Sequence, residues 1–301
     1  YFSSYKVKLV NLTDKLCKDS VESTIILFPN PDAYFTVNDS TQCVRGNAFN
    51  FTNASKIKSG TYTSAWSFGD LKTSTLTSPS NTYAAAGIYN VRLILNSNQN
   101  CKDTMDKPVT VYHQPSAQFT ISDSTQCLKA NNFLFTQTAN IAQGSYTHIW
   151  FLGNGNTSIQ NAVNVSYPKD TFYTIKLRVT SNNGCTDSIS KPITVYAQSK
   201  LAFSINTTRQ CFKGNSFVYT NLSTIKTGAF SSLWNFGDLS SSSASNPPAK
   251  SYSSFKDSLF VSLYTNTNNA CKDTLTKLVY LLSSPYPNFS VNDSTQCENE
   301  N

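Results

Sequence analysis

The amino-acid sequence predicts an all-β chain of tandem two-sheet sandwiches forming an elongated rod, and three observations carry that prediction. Charged residues make up 14% of the chain and aromatics 13%, there is one Met, and Asn, Ser and Thr separate short apolar runs. β-Branched and aromatic residues suit half-buried pleated surfaces, and small polar residues suit turns. The same landmarks also return at a nearly fixed period, the mark of a repeat architecture. Within each period the apolar residues alternate, as they do in strands with one buried face.

The period opens with AYFTVNDSTQC ending at Cys43, which recurs as AQFTISDSTQC at Cys127, AFSINTTRQC at Cys211 and NFSVNDSTQC at Cys297, in steps of 84, 84 and 86 residues. Phe49 and Phe51 follow, then Phe133 and Phe135, then Phe217 and Tyr219, spaced by two as inward-facing strand residues should be. WSFGD at Trp66, WFLGN at Trp150 and WNFGD at Trp234 give one Trp per copy, the large ring a sandwich core needs. GIYNVRLIL around Val91 matches FYTIKLRV around Ile175 and YKVKLV around Val7; the third copy is looser, with SLFVSLY at 258–264. Each copy closes through an Asn-rich turn, a Cys-Lys/Thr-Asp triplet and a strand such as KPVTVY.

The resulting divisions are 1–30 (closing part of a repeat), 31–114, 115–198 and 199–284 (complete repeats), and 285–301 (opening part of another). Because Tyr1 falls inside a repeat, the chain reads as a window of a longer polypeptide. About seven short strands per period is the pattern of an immunoglobulin-like Greek-key sandwich. The linkers FPNP, HQP and SSPYP are short and stiffened by Pro. The junction near Gln198 to Lys200 has no Pro and is expected to be the softest.

The net charge of +7 comes from 24 Lys and Arg scattered singly, which reads as solubility and not as a nucleic-acid footprint. No run of 18 apolar residues exists, so no membrane contact is expected of this segment. Phosphate loops, nucleophile elbows and metalloprotease motifs are absent from the sequence. No catalytic residue, metal site or cofactor is expected. His113 and His148 occupy unrelated repeat positions and no C-x-x-C occurs, so zinc is disfavoured. Asp70 and Asp238 belong to the repeat signature, where turn hydrogen bonding is the expected role.

The order F-T-V, F-x-F-T-N, W-S-F-G-D, G-x-Y-x-V-x-L and V-T-V-Y resembles the PKD (polycystic kidney disease) domain across all three complete copies. The D-S-T-Q-C and G-C-x-D elements further resemble PKD arrays of long Bacteroidota surface proteins, including gliding-motility adhesins. Asn154 departs from the pattern where the motif has Asp, as do Leu71 and Leu239 where a second Gly is usual. The resemblance implies a non-catalytic, extracellular structural or adhesive segment acting as a stalk. Its partners would be neighbouring repeats of the same chain, like chains in a filament, and surface glycans at a distal domain. PKD spacer or carbohydrate-binding modules of a large secreted polysaccharide- or protein-degrading enzyme are the alternative.

Eight cysteines, two per period, fit disulfides in an oxidising compartment. In the topology that the resemblance implies, the first Cys of each repeat lies at the end where the chain leaves and the second at the end where it enters. Those ends are one strand length apart, about 20 Å for six residues, too far for a bond within one repeat. Across a head-to-tail junction the ends meet, so Cys43 pairs with Cys185 and Cys127 with Cys271. Cys17, Cys101, Cys211 and Cys297 are then expected to find partners in repeats outside this window.

A second recurrent pattern is Asp followed by Ser or Thr. It places Ser20, Ser40, Thr104, Ser124, Ser188, Ser258, Thr274 and Ser294 in a context similar to the O-glycosylation signal of exported Bacteroidota proteins. The other reading is that Asp and Ser favour turns by bonding their own backbone. Both readings stand at this point.

Overall fold

The computed structural model describes residues 2–292, 294 and 295, and among them every regular element is a strand. A hairpin comes first, β1 (Ser3–Leu12) and β2 (Lys18–Leu27). The next eight strands are β3 (Phe35–Val37), β4 (Thr41–Cys43), β5 (Phe49–Asn53), β6 (Tyr62–Ser67), β7 (Thr73–Ser74), β8 (Ser80–Asn81), β9 (Gly87–Ser97) and β10 (Lys102–Tyr112). They form a sheet of order β3-β5-β8 facing one of order β4-β10-β9-β6-β7. The second set repeats them as β11 (Phe119–Ile121), β12 (Thr125–Cys127), β13 (Phe133–Gln137), β14 (Tyr146–Phe151), β15 (Thr157–Ser158), β16 (Ala162–Val165), β17 (Phe172–Ser181) and β18 (Thr186–Tyr196). Their sheet orders are the same, β11-β13-β16 and β12-β18-β17-β14-β15.

The third set comprises β19 (Phe203–Ile205), β20 (Arg209–Cys211), β21 (Tyr219–Asn221), β22 (Phe230–Asn235), β23 (Ser241–Ser242), β24 (Ser258–Thr267) and β25 (Lys272–Leu282). Its large sheet keeps the order β20-β25-β24-β22-β23, but its small one is reduced to β19-β21, with a lone bridge from Phe217 to Lys250 where the third strand would lie. The fold is therefore tandem immunoglobulin-like sandwiches, as composition and alternation predict.

Each sandwich has its own core, confined to residues 33–111, 117–195 and 203–281. Trp66, Trp150 and Trp234 are buried at its centre, edge-on to Phe35, Phe119 and Phe203 respectively. Each indole N–H donates to a carbonyl ten residues on, that of Leu76, Gln160 or Ala244, so no buried donor is orphaned. Truncating such a ring to Ala costs about 3–5 kcal/mol.

Three recurrent polar devices brace each sandwich. Buried Asn131 donates to the carbonyls of Leu128 and Tyr167 and accepts from the Tyr167 N–H; Asn47 and Asn215 do the same with Val44 and Tyr83, and with Phe212 and Tyr252. One amide thus satisfies three backbone groups, which would be costly to bury unpaired. The hydroxyls of Tyr83, Tyr167 and Tyr252 donate to the carbonyls of Phe68, Leu152 and Phe236. Burial pushes the Tyr83 phenol up to about 12. Finally, Lys107, Lys191 and Lys277 reach from the last strand to the carbonyls of Phe35, Phe119 and Phe203, joining one sheet to the first strand of the other. Each ammonium also sits over the Phe ring whose carbonyl it bonds.

Candidate functional site

The residues with chemistry gather at the junctions between repeats. The reason lies in the DSTQC segment. Asp39 and Asp123 each accept the backbone N–H two residues on, at Thr41 and Thr125, and bend the chain from the small sheet into the large one. Thr207 does this for the third copy through its hydroxyl, at Arg209. Gln42, Gln126 and Gln210 each close the following loop, accepting from the N–H and donating to the carbonyl of Ala48, Asn132 and Ser216. The short strand so formed runs parallel to the last strand, pairing Cys43 with Tyr112, Cys127 with Tyr196 and Cys211 with Leu282. The first Cys of each repeat therefore sits at the trailing pole, where the chain leaves. The second Cys sits at the opposite, leading pole, in the turn before the last strand.

Across the two complete junctions the structure joins Cys43 to Cys185 and Cys127 to Cys271, with Cα–Cα distances of 5.6 and 5.5 Å. A cation two residues beyond the first Cys meets a carboxylate two residues beyond the second: Arg45 Nη1 lies 2.6 Å from Asp187 Oδ1, and Lys129 Nζ 2.6 Å from Asp273 Oδ1. Asp187 also accepts the N–H of Ala117. Burial disfavours the Asp187 carboxylate, but the hydrogen bonds from Ala117 and Arg45 outweigh it and hold the carboxyl below the ordinary range. Gln114 and Gln198, which occupy the same linker position one repeat period apart, each donate to a carbonyl of the next repeat, at Thr186 and Lys272.

The junction without Pro, expected to be the softest, carries polar bracing of its own. Ser199 stands where the first junction has Pro115, yet both are buried, and the Ser199 and Thr265 hydroxyls share a 2.6 Å hydrogen bond. Lys226 adds an ion pair to Asp170 of the preceding repeat. A hydroxyl pair replaces the rigid ring.

Cys17 and Cys211 are exposed and Cys101 is half-buried, all as free thiols, while Cys297 lies outside the described residues. Ser20, Ser40, Thr104, Ser124, Ser188, Ser258, Thr274 and Ser294 are all exposed. The preceding carboxylates have structural work of their own: turns at Asp39 and Asp123, the Ala33 N–H at Asp103, and the junction pairs at Asp187 and Asp273. Asp70 and Asp238 hold turns at Lys72 and Ser240, and Asn154 does the same at Asn156. Burial opposes ionisation of Asp70 and Asp238, and their hydrogen bonds, chiefly from Asn81 and from Lys250, overcome it and lower both carboxyls. A cleft of about 320 Å³ at the first junction is lined by residues including Tyr112, His113, Gln143 and Asn183, with no carboxylate or thiol among them. Among the described residues no group of three or more His, Cys, Asp or Glu is placed to hold a metal ion.

The W-S-F-G-D loop, the buried Trp66 and the paired sheets of the first repeat lead to one family. Residues 29–111 match the PKD domain. The second repeat carries PKD-type sheets in the same order, and the third keeps the order of the large sheet with a two-stranded small one. Among solved structures, the PKD1 domain of Vibrio cholerae metalloprotease PrtV is 27% identical over 28% of this chain and 98% of its own, at a TM-score of 0.25. The PKD1 domain of Vibrio anguillarum Epp is 24% identical over 28% and 94%, also at 0.25. The N-terminal eight Ig domains of Down Syndrome Cell Adhesion Molecule align at a TM-score of 0.54 with 9% identity, over 94% of this chain and 40% of that one, a likeness of fold. No curated protein matches the sequence.

Sequence reading missed the buried Asn, the sheet-bridging Lys and the ion pairs beside the staples. All three were available as recurrences. Asn47, Asn131 and Asn215 recur at the repeat period, as do Lys107 and Lys191. C-V-R and C-L-K at the first cysteines face C-T-D and C-K-D at the second, a complementary charge code flanking each bond.

Proposed function

We propose that this chain is a non-catalytic segment of a long extracellular surface fibre, its repeats acting as a stalk. The observation that carries the reading is the disulfide at each complete junction, supported by an ion pair and a Gln hydrogen bond. Each repeat buries its own core and adheres covalently to its neighbour, so length grows by copying while stability stays local. Disulfides persist in oxidising surroundings, which supports placement outside the cell. Cys101 and Cys211 occupy the same positions as the bonded cysteines, and in this reading they join adjoining repeats in the same register. Like chains, or surface glycans at a distal domain, are the partners of the fibre as a whole. The gliding-motility adhesins of Bacteroidota are the protein class to which the reading assigns it.

The exposed hydroxyls of the Asp-Ser/Thr pairs are the positions proposed to carry sugars; glycopeptide analysis finding Ser124 and Thr104 unmodified in protein from the native source would refute that part. Electron microscopy of the native cell surface, with antibody to this segment, tests the stalk itself. Labelled beaded filaments with a regular repeat are expected, and label confined to compact secreted particles would overturn it.

A further inference from the structure

We infer that the staples fix the length of the rod, because forced unfolding of any one repeat releases almost no chain. The inference follows from where the bonds fall in the covalent path. His113 ends the first repeat, and about 14 residues later Cys127 is bonded to Cys271 of the third. Cys185, bonded to Cys43 of the first repeat, lies about 14 residues before Ser199, where the third begins. The first and third repeats are thus joined by two short tethers, residues 113–127 and 185–199. Residues 128–184, with β13 to β17 and most of the core, lie outside the path of tension.

A tether of about 14 residues spans at most ~50 Å when fully extended. Much of that length is already drawn out in the fold, since β18 alone is an 11-residue strand and extends about 36 Å. Unfolding the second repeat therefore adds on the order of 10 Å, whereas the main chain from His113 to Ser199 would otherwise reach ~290 Å. The outer repeats obey the same rule. The first is bypassed from Phe28 to Cys43 and on to Cys185, the third from Cys127 to Cys271 and on to Ser284. Tension then passes along the first and last strands and crosses between them within a folded repeat, through pairs such as β12 with β18, so any one folded repeat keeps the two short segments joined.

This inference rests on bond connectivity and stands apart from the fibre reading. A chain of fixed length found within a secreted enzyme would retain it and lose the proposed function. The test is single-molecule stretching of the full chain held at Phe28 and Ser284, which leaves the β1–β2 hairpin out of the load, first oxidised and then with a thiol reductant on the same preparation. Oxidised, the first two repeats to unfold should each lengthen the chain by less than ~20 Å and the last, which frees the about 58 residues between Cys127 and Cys185, by ~150 Å; reduced, each of the three repeats should release ~250 Å, at least a tenfold change for the first two. A long event in the oxidised chain before two repeats have unfolded, or short events that persist after reduction, would overturn the inference. Removing one staple sharpens it. C43S/C185S should give one event of ~250 Å, from the first repeat, and C127S/C271S one of the same length, from the third, in place of the ~150 Å last event of the doubly stapled chain. Should these variants fail to fold, the comparison of oxidised and reduced wild-type chain decides alone.

Discussion

The two complete junctions reach similar bracing by different chemistry. Both have a disulfide, a cation-carboxylate pair and a Gln bonded to a carbonyl of the next repeat. They differ at one buried linker position, Pro115 in the first and Ser199 in the second. The repeat alignment explains how Ser is tolerated there. Thr265 stands where the earlier repeats have Leu95 and Val179, so an inward-facing hydroxyl meets the one on Ser199. A buried hydroxyl alone would be a liability, while a mutually bonded pair is not. Bracing at these joints therefore does not depend on proline.

The largest expected difference is between stapled and reduced forms. With sequence separations of 142 and 144 residues, each bond should contribute about 5 kcal/mol through the unfolded state. Chemical denaturation with and without reductant measures this, and a near-equal loss at the two junctions is predicted. Next comes Thr265→Val, which strands the Ser199 hydroxyl and should cost about 1–3 kcal/mol. Adding Ser199→Pro should recover most of that loss, and a double-mutant cycle that is additive would break the pairing account.

Asp187 sharpens the comparison through pH. Its carboxyl is held below the ordinary range in the folded state, so its contribution is present above the unfolded value near 3.9 and is lost as pH falls through the lower folded one. Asp187→Asn should flatten the acid limb of the stability profile, at a cost of about 1–2 kcal/mol at neutral pH from the weakened bond to Ala117. Thermal melts from pH 7 to 3 would show it.

The smallest effect lies away from both joints and serves as their control. Leu71 and Leu239 are fully exposed at φ values of 71° and 72°, where the second repeat has Gly155 at 90°. Left-handed backbone costs a residue with a Cβ about 1 kcal/mol, so Leu71→Gly should stabilise and Gly155→Leu destabilise by that amount, leaving the junctions unchanged.

Fold and repeat count were legible because period and alternation are one-dimensional signals: Trp66, Trp150 and Trp234 announce three cores by spacing alone. The bracing found at Gln198 to Lys200, where softness was expected, has a source that spacing does not show. Ser199 finds its partner 66 residues away, on a strand whose departure from Leu95 and Val179 reads as mere looseness until the two hydroxyls are placed together. The Asn131 clamp was hidden similarly, since a recurrent Asn in an Asn-rich chain resembles a turn residue until its three backbone partners are seen.

The most direct test of covalently braced junctions is non-reducing peptide mapping of the full chain. Linked peptides containing Cys43 with Cys185 and Cys127 with Cys271 are predicted; a peptide linking Cys43 to Cys101 within one repeat would contradict the account.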